Sequence, residues 1–356
     1  MENLTFKCGC EFNINGTNPN SVNFDVSKIG YTCSKTWDMI CEGRTKGVFQ
    51  LESNLGQSWA KRVKPKNIEE LAALSALLRP GCLRAIVDGK SMTQHYVDRK
   101  HGLEEISYLH ESLEPILKST QAVLCYQEQS MKIAEVIAGF NLQEADDLRK
   151  AIGKKKAGLM SEIKTMFLKG AKKKGVVSQE IAEEIFSWIE KSNRYAFNKS
   201  HAVSYAVCGY WSAYAKAHFP LNFYCNYLYY ARGKADSQEE IRELISDAKL
   251  NDIVVTTPSL KCMTESFEIR DGTIVFGFKD IKYIGNSQTK KLFSSVEEQE
   301  ALLNKKISEW TWYEFLVHIA PLNTKKVVSS LVLVGALSFF PDHKSRSRTL
   351  YEFETW

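Results

Sequence analysis

Apolar residues recur at the spacing of a helix face through most of the 356-residue chain from about residue 36 onward. In "NIEELAALSALL", residues 67–78, Leu71, Leu74 and Leu78 share one face, and acidic residues come early, as at a helix start. A mainly α fold is therefore predicted. Further helices are predicted at 88–101, twice within 111–139, and at 142–152, 160–174, 178–192, 201–218 and 237–250.

The distribution of these patterns predicts two domains after an N-terminal segment. Residues 36–232 are almost wholly helical in pattern, whereas residues 233–356 also contain short β signals around the turn Asp271-Gly272. Residues 1–35 are rich in turn-forming sequence such as "INGTNPNS". We therefore predict an irregular N-terminal segment that could dock on another chain, then a helical domain, then a small mixed domain.

Neither a secretory leader nor a membrane span is expected. The opening "MENLTFKCGC" lacks a charged start followed by an apolar run, and no stretch of about 18 residues is apolar throughout. Single, scattered cysteines are typical of buried thiols in a reducing compartment. A cytoplasmic protein without a membrane partner is predicted. The scattered cysteines are Cys82, Cys125, Cys208, Cys225 and Cys262.

Four other cysteines lie close together near the start of the chain. They are Cys8, Cys10, Cys33 and Cys41, and a zinc knuckle can be drawn through them. Their C-x-C and C-x7-C spacings differ from the paired C-x2-4-C that structural zinc sites use. The pattern therefore leaves zinc open and does not favour it.

A basic stretch runs from Arg149 to Lys174. It holds ten Lys or Arg residues and one acid, Glu162, a local net charge of +9. Since the whole chain carries +5, the remainder carries −4. One interpretation is a solvated helix face with an ordinary Asp146–Lys150 pair. The density of charge favours a polyanion, nucleic acid or nucleotide, bound with strong salt dependence.

The sequence "NRYAFNKSHAVSYA" combines a helix start with cations. Asn198 or Ser200 can cap a helix that begins near His201. Unpaired N–H groups at that start, with Lys199 and a protonated His201, would suit a triphosphate, because several donors converge. Tyr205 lies on the same helix face and could stack on a base or sugar. The alternative is a capped core helix with a satisfied histidine.

Four strings in one order carry a family resemblance: "GVFQLES" (47–53), "ALLRPGCL" (76–83), "VLCYQEQSMKIAEVIAGFNLQEADDLRKAIGKKK" (123–156) and "YAFNKSHAVSYAVCGYWSAYAKAHFP" (195–220). Together they resemble the fingers region of C-family bacterial replicative DNA polymerases, the alpha subunit of DNA polymerase III. The resemblance spans about residues 36–350. It implies a helical fingers domain that closes over the template–primer end and holds the incoming dNTP by its phosphates.

The resemblance also implies roles for individual residues. Candidates for contact with the triphosphate or DNA are Arg149, Lys154 and Lys155 of "LRKAIGKK" and Lys199, Ser200 and His201 of "FNKSH". Residues that would line or brace the pocket are Arg79, Gln127, Glu128, Gln129 and Tyr205. The charge density of the basic stretch, rather than the resemblance, makes Lys156, Lys172, Lys173 and Lys174 candidates for DNA binding.

The C-terminal part resembles the helix-hairpin-helix region of the same family, which grips the duplex backbone. The matching string is "GFKDIKYIGNSQTKKL" (277–292), with Gly285 as the hairpin glycine and Lys282 as a DNA contact. Tyr283 stands where a second glycine is common. The expected fold is therefore a helical fingers domain followed by a small α+β helix-hairpin-helix domain.

Polymerase chemistry needs carboxylates that hold two Mg²⁺ ions. In this family they form an Asp-x-Asp pair on the palm, and the 356 residues contain no such pair. The side chains of Asp146 and Asp147 are adjacent on a helix and diverge by about 100°. The resemblance thus implies that Mg²⁺ is held by a separate palm-bearing chain, as in a split polymerase from a phage or similar compact genome.

Under that hypothesis the chain is part of a nucleotidyltransferase and is inactive alone. Its partners would be template–primer DNA, dNTP, the palm-bearing chain and other replisome proteins. The alternative is a non-catalytic DNA- or partner-binding protein derived from the polymerase.

Overall fold

The computed structural model describes residues 25–154, 157–192 and 196–356, together with the backbone of two short strands, β1 (Glu2–Thr5) and β2 (Glu11–Ile14). These strands pair with each other. They fall within the segment predicted to be irregular. With four residues each, they are too short to show a periodic pattern. Elsewhere the fold is mainly α, as predicted, and the chain packs as two compact units.

The amino-terminal unit contains residues 25–217. Its helices are α1 (Ser34–Cys41), α2 (Asn54–Val63), α3 (Ile68–Leu77), α4 (Pro80–Arg84), α5 (Met92–Lys100), α6 (Glu114–Leu117), α7 (Gln127–Ile133), α8 (Leu142–Lys154), α9 (Ala157–Lys174), α10 (Gln179–Ser192) and α11 (Lys199–His218). A two-residue hairpin joins β3 (Ile86–Val87) to β4 (Lys90–Ser91). A π-helical turn, Ala134–Ala138, follows α7 directly.

Local capping sets several of these helices. Asn67 caps α3 by accepting a hydrogen bond from the Glu70 amide, and α3 buries the predicted apolar face. A capping box begins α8: Asn141 Oδ1 accepts from the Glu144 amide, and Glu144 accepts from the Asn141 amide. Helix α8 continues two residues past the predicted end at 152 and includes Gly153, because one glycine costs a helix only about 1 kcal/mol.

Helix α9 lies in close contact with the π-helical turn. Gly170 faces this turn, and a Cβ atom there would collide with the carbonyl oxygen of Ala138. Around this contact, α7 to α10 form one apolar cluster that includes Leu148, Phe167 and Phe186. This apolar cluster fixes the positions of α8 and α9, the helices that carry the basic residues.

The carboxy-terminal unit contains residues 218–356. Its helices are α12 (Pro220–Ala231), α13 (Ser237–Leu250), α14 (Asn286–Leu303), α15 (Trp312–His318), α16 (Lys325–Val334) and α17 (Arg346–Thr355). Helix α12 packs as part of this unit; the domain boundary near residue 232 stays a prediction.

A three-stranded sheet in the order β5-β7-β6 packs against α12 and α13. Strand β5 (Val255–Thr256) runs parallel to β7 (Thr273–Val275), and β6 (Glu268–Arg270) runs antiparallel to it. The predicted turn joins β6 to β7, with φ of 48° at Asp271 and 72° at Gly272. A second apolar cluster, centred on Trp310 and Phe315, packs α14, α15 and α16 together.

Across the described ranges, no helix combines the length and the apolar character that a membrane crossing needs.

Candidate functional site

Two helix starts are joined side by side in the amino-terminal unit. The Phe197 amide donates to the Cys125 carbonyl (2.8 Å), and the Gln127 amide donates to the Phe197 carbonyl (2.9 Å). These bonds form a parallel bridge between Tyr126 and Phe197. Because α7 begins at Gln127 and α11 begins two residues after Phe197, the bridge places both helix N-termini at one location.

The start of α11 is capped by a carboxylate from α7. Glu128 accepts hydrogen bonds from Asn198 Nδ2 and from the Lys199 amide, each 2.9 Å. Asn198 Oδ1 accepts from the His201 amide (2.8 Å) and from Ser200 Oγ (2.6 Å), so it is the predicted cap. The expectation that these N–H groups are unpaired was wrong for Lys199 and His201. A carboxylate already satisfies the positive end of the helix dipole.

Planar side chains form a continuous row beside this helix start, here called the stacked row. The Arg79 guanidinium lies 4.4 Å from the centre of the Phe197 ring. The ring of His201 lies 5.3 Å from that of Phe197 and 3.9 Å from that of Tyr205, which in turn lies 5.1 Å from that of Phe49. Arg79 and Phe49 are exposed, and the other three are half-buried. Aromatic spacing predicted Tyr205 here, whereas Phe49 and Phe197 carried no comparable signal.

The side chains of Lys199 and His201 make few contacts with the described residues at this location. Lys199 Nζ lies 3.4 Å from Glu69 Oε1, and both side chains are about half exposed. Such an exposed pair contributes about 0–1 kcal/mol, so it can be exchanged for a phosphate. Within the described part of the chain, the ring nitrogens of His201 have no hydrogen-bond partner. Lys199 and His201 are therefore available to a ligand, although their amides are not.

The glutamines of "YQEQ" support the bridge. Gln129 is buried; its Oε1 accepts from the amides of Cys125 (3.1 Å) and Tyr126 (3.0 Å), and its Nε2 donates to Thr120 Oγ1 (2.7 Å). Gln127 Nε2 donates to the Ala196 carbonyl (3.5 Å). These side chains hold the segment that positions Glu128, and Gln129 does not face solvent.

In α8 the predicted Asp146–Lys150 pair is present, at 2.8 Å between Nζ and Oδ2. Arg149 Nη2 also lies 2.8 Å from Asp146 Oδ1. Hydrogen bonds from Lys150 and then Arg149 hold the pKa of the Asp146 carboxyl below its ordinary value. Among the described residues no hydrogen bond, ion pair or ring contact joins Arg149 to His201. Their segments are connected through α7, which packs against α8. The Lys154 side chain, Lys155 and Lys156 lie outside the described residues.

The last turn of α9 presents three lysines with different surroundings. Lys174 Nζ donates to the carbonyls of Glu135 (2.9 Å) and Val136 (2.7 Å), and so completes the π-helical turn. Lys172 and Lys173 are exposed, and no ion pair or hydrogen bond engages their side chains in the described ranges. These two lysines supply positive charge that no acid of the described ranges pairs with, at the end of the basic stretch.

The predicted hairpin lies in the carboxy-terminal unit, where a turn precedes α14. The Ile284 amide donates to the Ile281 carbonyl (2.9 Å), and Gly285 caps α14 with its amide bonded to Gln288 Oε1 (3.2 Å). Tyr283 has φ of 70°, the left-handed conformation that favours glycine, the residue that the family resemblance implies is common at this position. Lys282 is exposed, with Nζ 5.2 Å from the Tyr283 ring centre.

Metal ligands are not assembled by the described residues. No group of three His, Cys, Asp or Glu side chains there could hold an ion. Asp146 is engaged by two cations, so Asp146 and Asp147 do not fit a Mg²⁺ site. Cys33 and Cys41 lie at opposite ends of α1, and the helical rise alone separates them by about 12 Å, too far to share a zinc ion. Cys8 and Cys10 lie outside the described residues.

Comparison with known proteins agrees with this architecture. Residues 13–175 match the family described as the bacterial DNA polymerase III alpha subunit finger domain. The chain therefore carries a C-family polymerase fingers region. Because the match begins at residue 13, the family likeness starts nearer the amino terminus than residue 36, where the sequence motifs placed it.

DNA polymerase III alpha subunits are similar to the chain along most of its length. Identity is 35% over 325 residues to the Bacillus subtilis subunit, 37% over 308 residues to that of Aquifex aeolicus, and 34% over 331 residues to that of Escherichia coli. These alignments cover 91%, 86% and 90% of the chain, but only 28%, 25% and 27% of the respective relatives. The chain thus spans about a quarter of the length of the subunits it matches.

Proposed function

We propose that the chain supplies the fingers and a duplex-binding part of a C-family replicative DNA polymerase. In this proposal it binds the phosphates of the incoming dNTP and holds the template–primer, while a separate palm-bearing chain supplies the metal-binding carboxylates. The observation that carries the proposal is the joined start of α7 and α11, where Lys199 begins α11 and the stacked row beside it contains His201 and Arg79.

Nucleotide binding at this location would use side chains, because the helix amides are already capped. Lys199 can leave its exposed contact with Glu69 for a phosphate oxygen, and a protonated His201 adds a second donor. Ser200 is exposed on the same turn. Tyr205 and Phe49 offer ring faces on which a base or sugar could stack. Cations that neutralise phosphate charge next to a stacking surface suit a nucleoside triphosphate.

DNA binding is assigned to two further surfaces in the proposal. The exposed Lys172 and Lys173 at the end of α9 would attract the backbone of the template–primer. In the carboxy-terminal unit, Lys282 and the turn before Gly285 would contact a duplex as a helix-hairpin-helix element does. Both contacts are to phosphate, so they would give affinity without base specificity.

Primer extension tests the proposal directly. The purified chain alone should extend no primer at any Mg²⁺ concentration. Addition of a palm-bearing polypeptide encoded beside its reading frame should restore extension. Lys199→Ala and His201→Ala should then each raise the KM for dNTP about tenfold, since each loses a charge-assisted contact to phosphate.

Lys118→Ala is the matched control, because Lys118 is exposed and pairs with Glu114 on its own helical stretch. It should leave the KM unchanged. If the reconstituted pair stays inactive while the chain still binds DNA, the split-enzyme proposal fails and the non-catalytic DNA-binding alternative replaces it.

A further inference from the structure

A cavity of about 450 Å³ lies beside the hairpin turn of the carboxy-terminal unit. The end of α12, the start of α13 and the segment 279–285 form its wall. Its polar lining includes Arg232, Ser237, Gln238, Lys279, Asp280 and Lys282. The volume is ample for a phosphate group with several water molecules.

The wall of this cavity contains a carboxylate without a hydrogen-bond partner. The Asp280 side chain is fully buried, and neither of its oxygens accepts a hydrogen bond from any described residue. Its nearest cation is Arg232, with Nε 3.7 Å from Oδ1, beyond hydrogen-bond length. Burial raises the pKa of Asp280 to about 6, against the opposing effect of Arg232 and Lys279. A buried, unsatisfied carboxylate is costly, so its position needs an explanation.

Arg232 is fixed at the cavity by groups other than Asp280. Its Nε donates to the Tyr229 carbonyl (3.2 Å), and its Nη2 donates to Ser266 Oγ (3.0 Å). The guanidinium also lies 4.8 Å from the Tyr229 ring centre. About a third of the Arg232 side chain remains exposed, so a ligand can reach it.

Among the described residues, two charged side chains face Asp280: Arg232, the residue directly after α12, and Lys279 from its own segment. Helix α13 contributes the neutral Ser237 and Gln238. Lys279 is already paired with Glu265. The cations open to an incoming anion are therefore Arg232 and Lys282. A negative charge on Asp280 opposes such an anion and attracts Arg232, and the low dielectric of the wall strengthens both effects.

We propose that this cavity takes one backbone phosphate of duplex DNA, bound by Arg232 and Lys282, and that Asp280 weakens this binding as an internal competitor for Arg232. The inference rests on the proposed duplex-binding role of this unit. To that role it adds a phosphate contact outside the hairpin, Arg232, and a residue that lowers the affinity, Asp280. Cations continue from the cavity past the Tyr283 ring to Lys326, whose Nζ lies 5.8 Å from the ring centre. A line of cations fits the repeated phosphates of a duplex better than a single free phosphate.

The test measures binding of the whole chain to a fluorescent duplex of about 20 base pairs by anisotropy, at pH 7.5 and pH 5.5. Arg232→Gln should weaken binding about tenfold, as expected for loss of a charge-assisted contact to phosphate. Asp280→Asn should tighten binding several-fold at pH 7.5, because it removes the internal anion without changing the shape of the side chain. The wild-type chain should bind more tightly at pH 5.5, and Asp280→Asn should lose the part of that change due to Asp280.

Lys249→Gln is the matched control: this exposed lysine at the end of α13 lies outside the cavity. If Arg232→Gln behaves like the control and Asp280→Asn changes nothing, the inference is overturned, even where Lys282→Gln still weakens duplex binding. If Lys282→Gln also leaves duplex binding unchanged, the result counts instead against the proposed duplex-binding role of the unit.

Two further measurements separate loss of the phosphate contact from loss of the fold and from binding of free phosphate. Arg232→Lys keeps the charge and should bind nearly as well as wild type; a folded Arg232→Lys variant, checked by circular dichroism, that binds no better than the Lys282→Gln variant would overturn the inference. Inorganic phosphate is the second probe, measured by its competition with the duplex. An Asp280→Asn effect on inorganic phosphate without one on the duplex would overturn the DNA assignment and leave a free-phosphate site.

Discussion

Two carboxylates, Glu128 and Asp280, lie next to segments expected to meet phosphate, and their surroundings are opposite. Glu128 accepts two hydrogen bonds at the start of α11. Asp280 accepts none from the described residues, and its pKa is raised. The same contrast extends to the backbone, since Tyr283 near Asp280 adopts a left-handed conformation. A hydrogen-bonded carboxylate thus stabilises the folded site. A buried carboxylate without hydrogen bonds destabilises it, and binding of a proton or a ligand can relieve that cost.

The largest effect should come from the satisfied acid. Glu128→Ala removes both charge-assisted hydrogen bonds that this carboxylate accepts at the start of α11, so the free energy of unfolding in urea should fall by about 3 kcal/mol. Glu69→Ala, which removes only an exposed contact with Lys199, should change it by about 0.5 kcal/mol or less. Equal effects from both substitutions would remove the distinction between cap and surface pair.

Asp280→Asn should act in the other direction. In the folded chain the Asp280 pKa is raised from 3.8 to about 6, so between these values the folded state binds more protons than the unfolded state. Stability contributed by this residue is therefore lost as pH rises through that window. The asparagine variant should be more stable by about 2 kcal/mol at pH 7.5, with the gain vanishing near pH 4. A gain that is independent of pH would contradict ionisation as the cause.

Tyr283→Gly should relieve the backbone near Asp280. The left-handed conformation costs a non-glycine residue about 1 kcal/mol, so the variant should gain up to that amount in thermal or urea unfolding. Tyr351→Gly is a matched control, because Tyr351 is similarly exposed and also lies under a cation, but in the interior of α17. The control should lose about 1 kcal/mol. A loss from both would show that the ring of Tyr283 contributes more than its backbone costs.

The smallest change in stability is expected at the exposed lysines of α9. Lys172→Gln with Lys173→Gln should alter the unfolding free energy by less than about 0.5 kcal/mol. The slope of DNA affinity against salt should nevertheless fall by about two, one for each lost phosphate contact. Lys174→Gln should instead lower the melting temperature, because the Lys174 ammonium donates hydrogen bonds to carbonyl groups of the π-helical turn. An unchanged slope in the double variant would show that these lysines do not meet phosphate.

Sequence patterns predicted the features that local chemistry controls. The cap Asn198 and the Asp271-Gly272 turn each depend on residues within four positions of one another. Helical periodicity likewise predicted most helices to within a few residues. The π-helical turn escaped prediction because its apolar spacing resembles an ordinary helix and depends on contact with Gly170 of α9.

Long-range pairings were the part that the sequence could not predict. Nothing local to Glu128 indicates that it caps a helix about seventy residues later, because the Tyr126–Phe197 bridge exists only after folding. The amides of Lys199 and His201 were predicted to be open. The Lys199 amide is instead paired with the distant Glu128, and the His201 amide with the local cap Asn198. The burial of Asp280 depends in the same way on α12, which lies far from it along the chain.

The Tyr126–Phe197 bridge also constrains motion. Its two backbone hydrogen bonds join the N-termini of α7 and α11. A rotation of α11 must therefore either break these bonds or move α7 with it. Helix α7 continues directly into the π-helical turn, which packs against Gly170 and bonds to Lys174. A displacement of α7 would therefore also move the C-terminal end of α9. Binding of a small molecule that moves the start of α11 would thus also change the position of the positive charges at the end of α9.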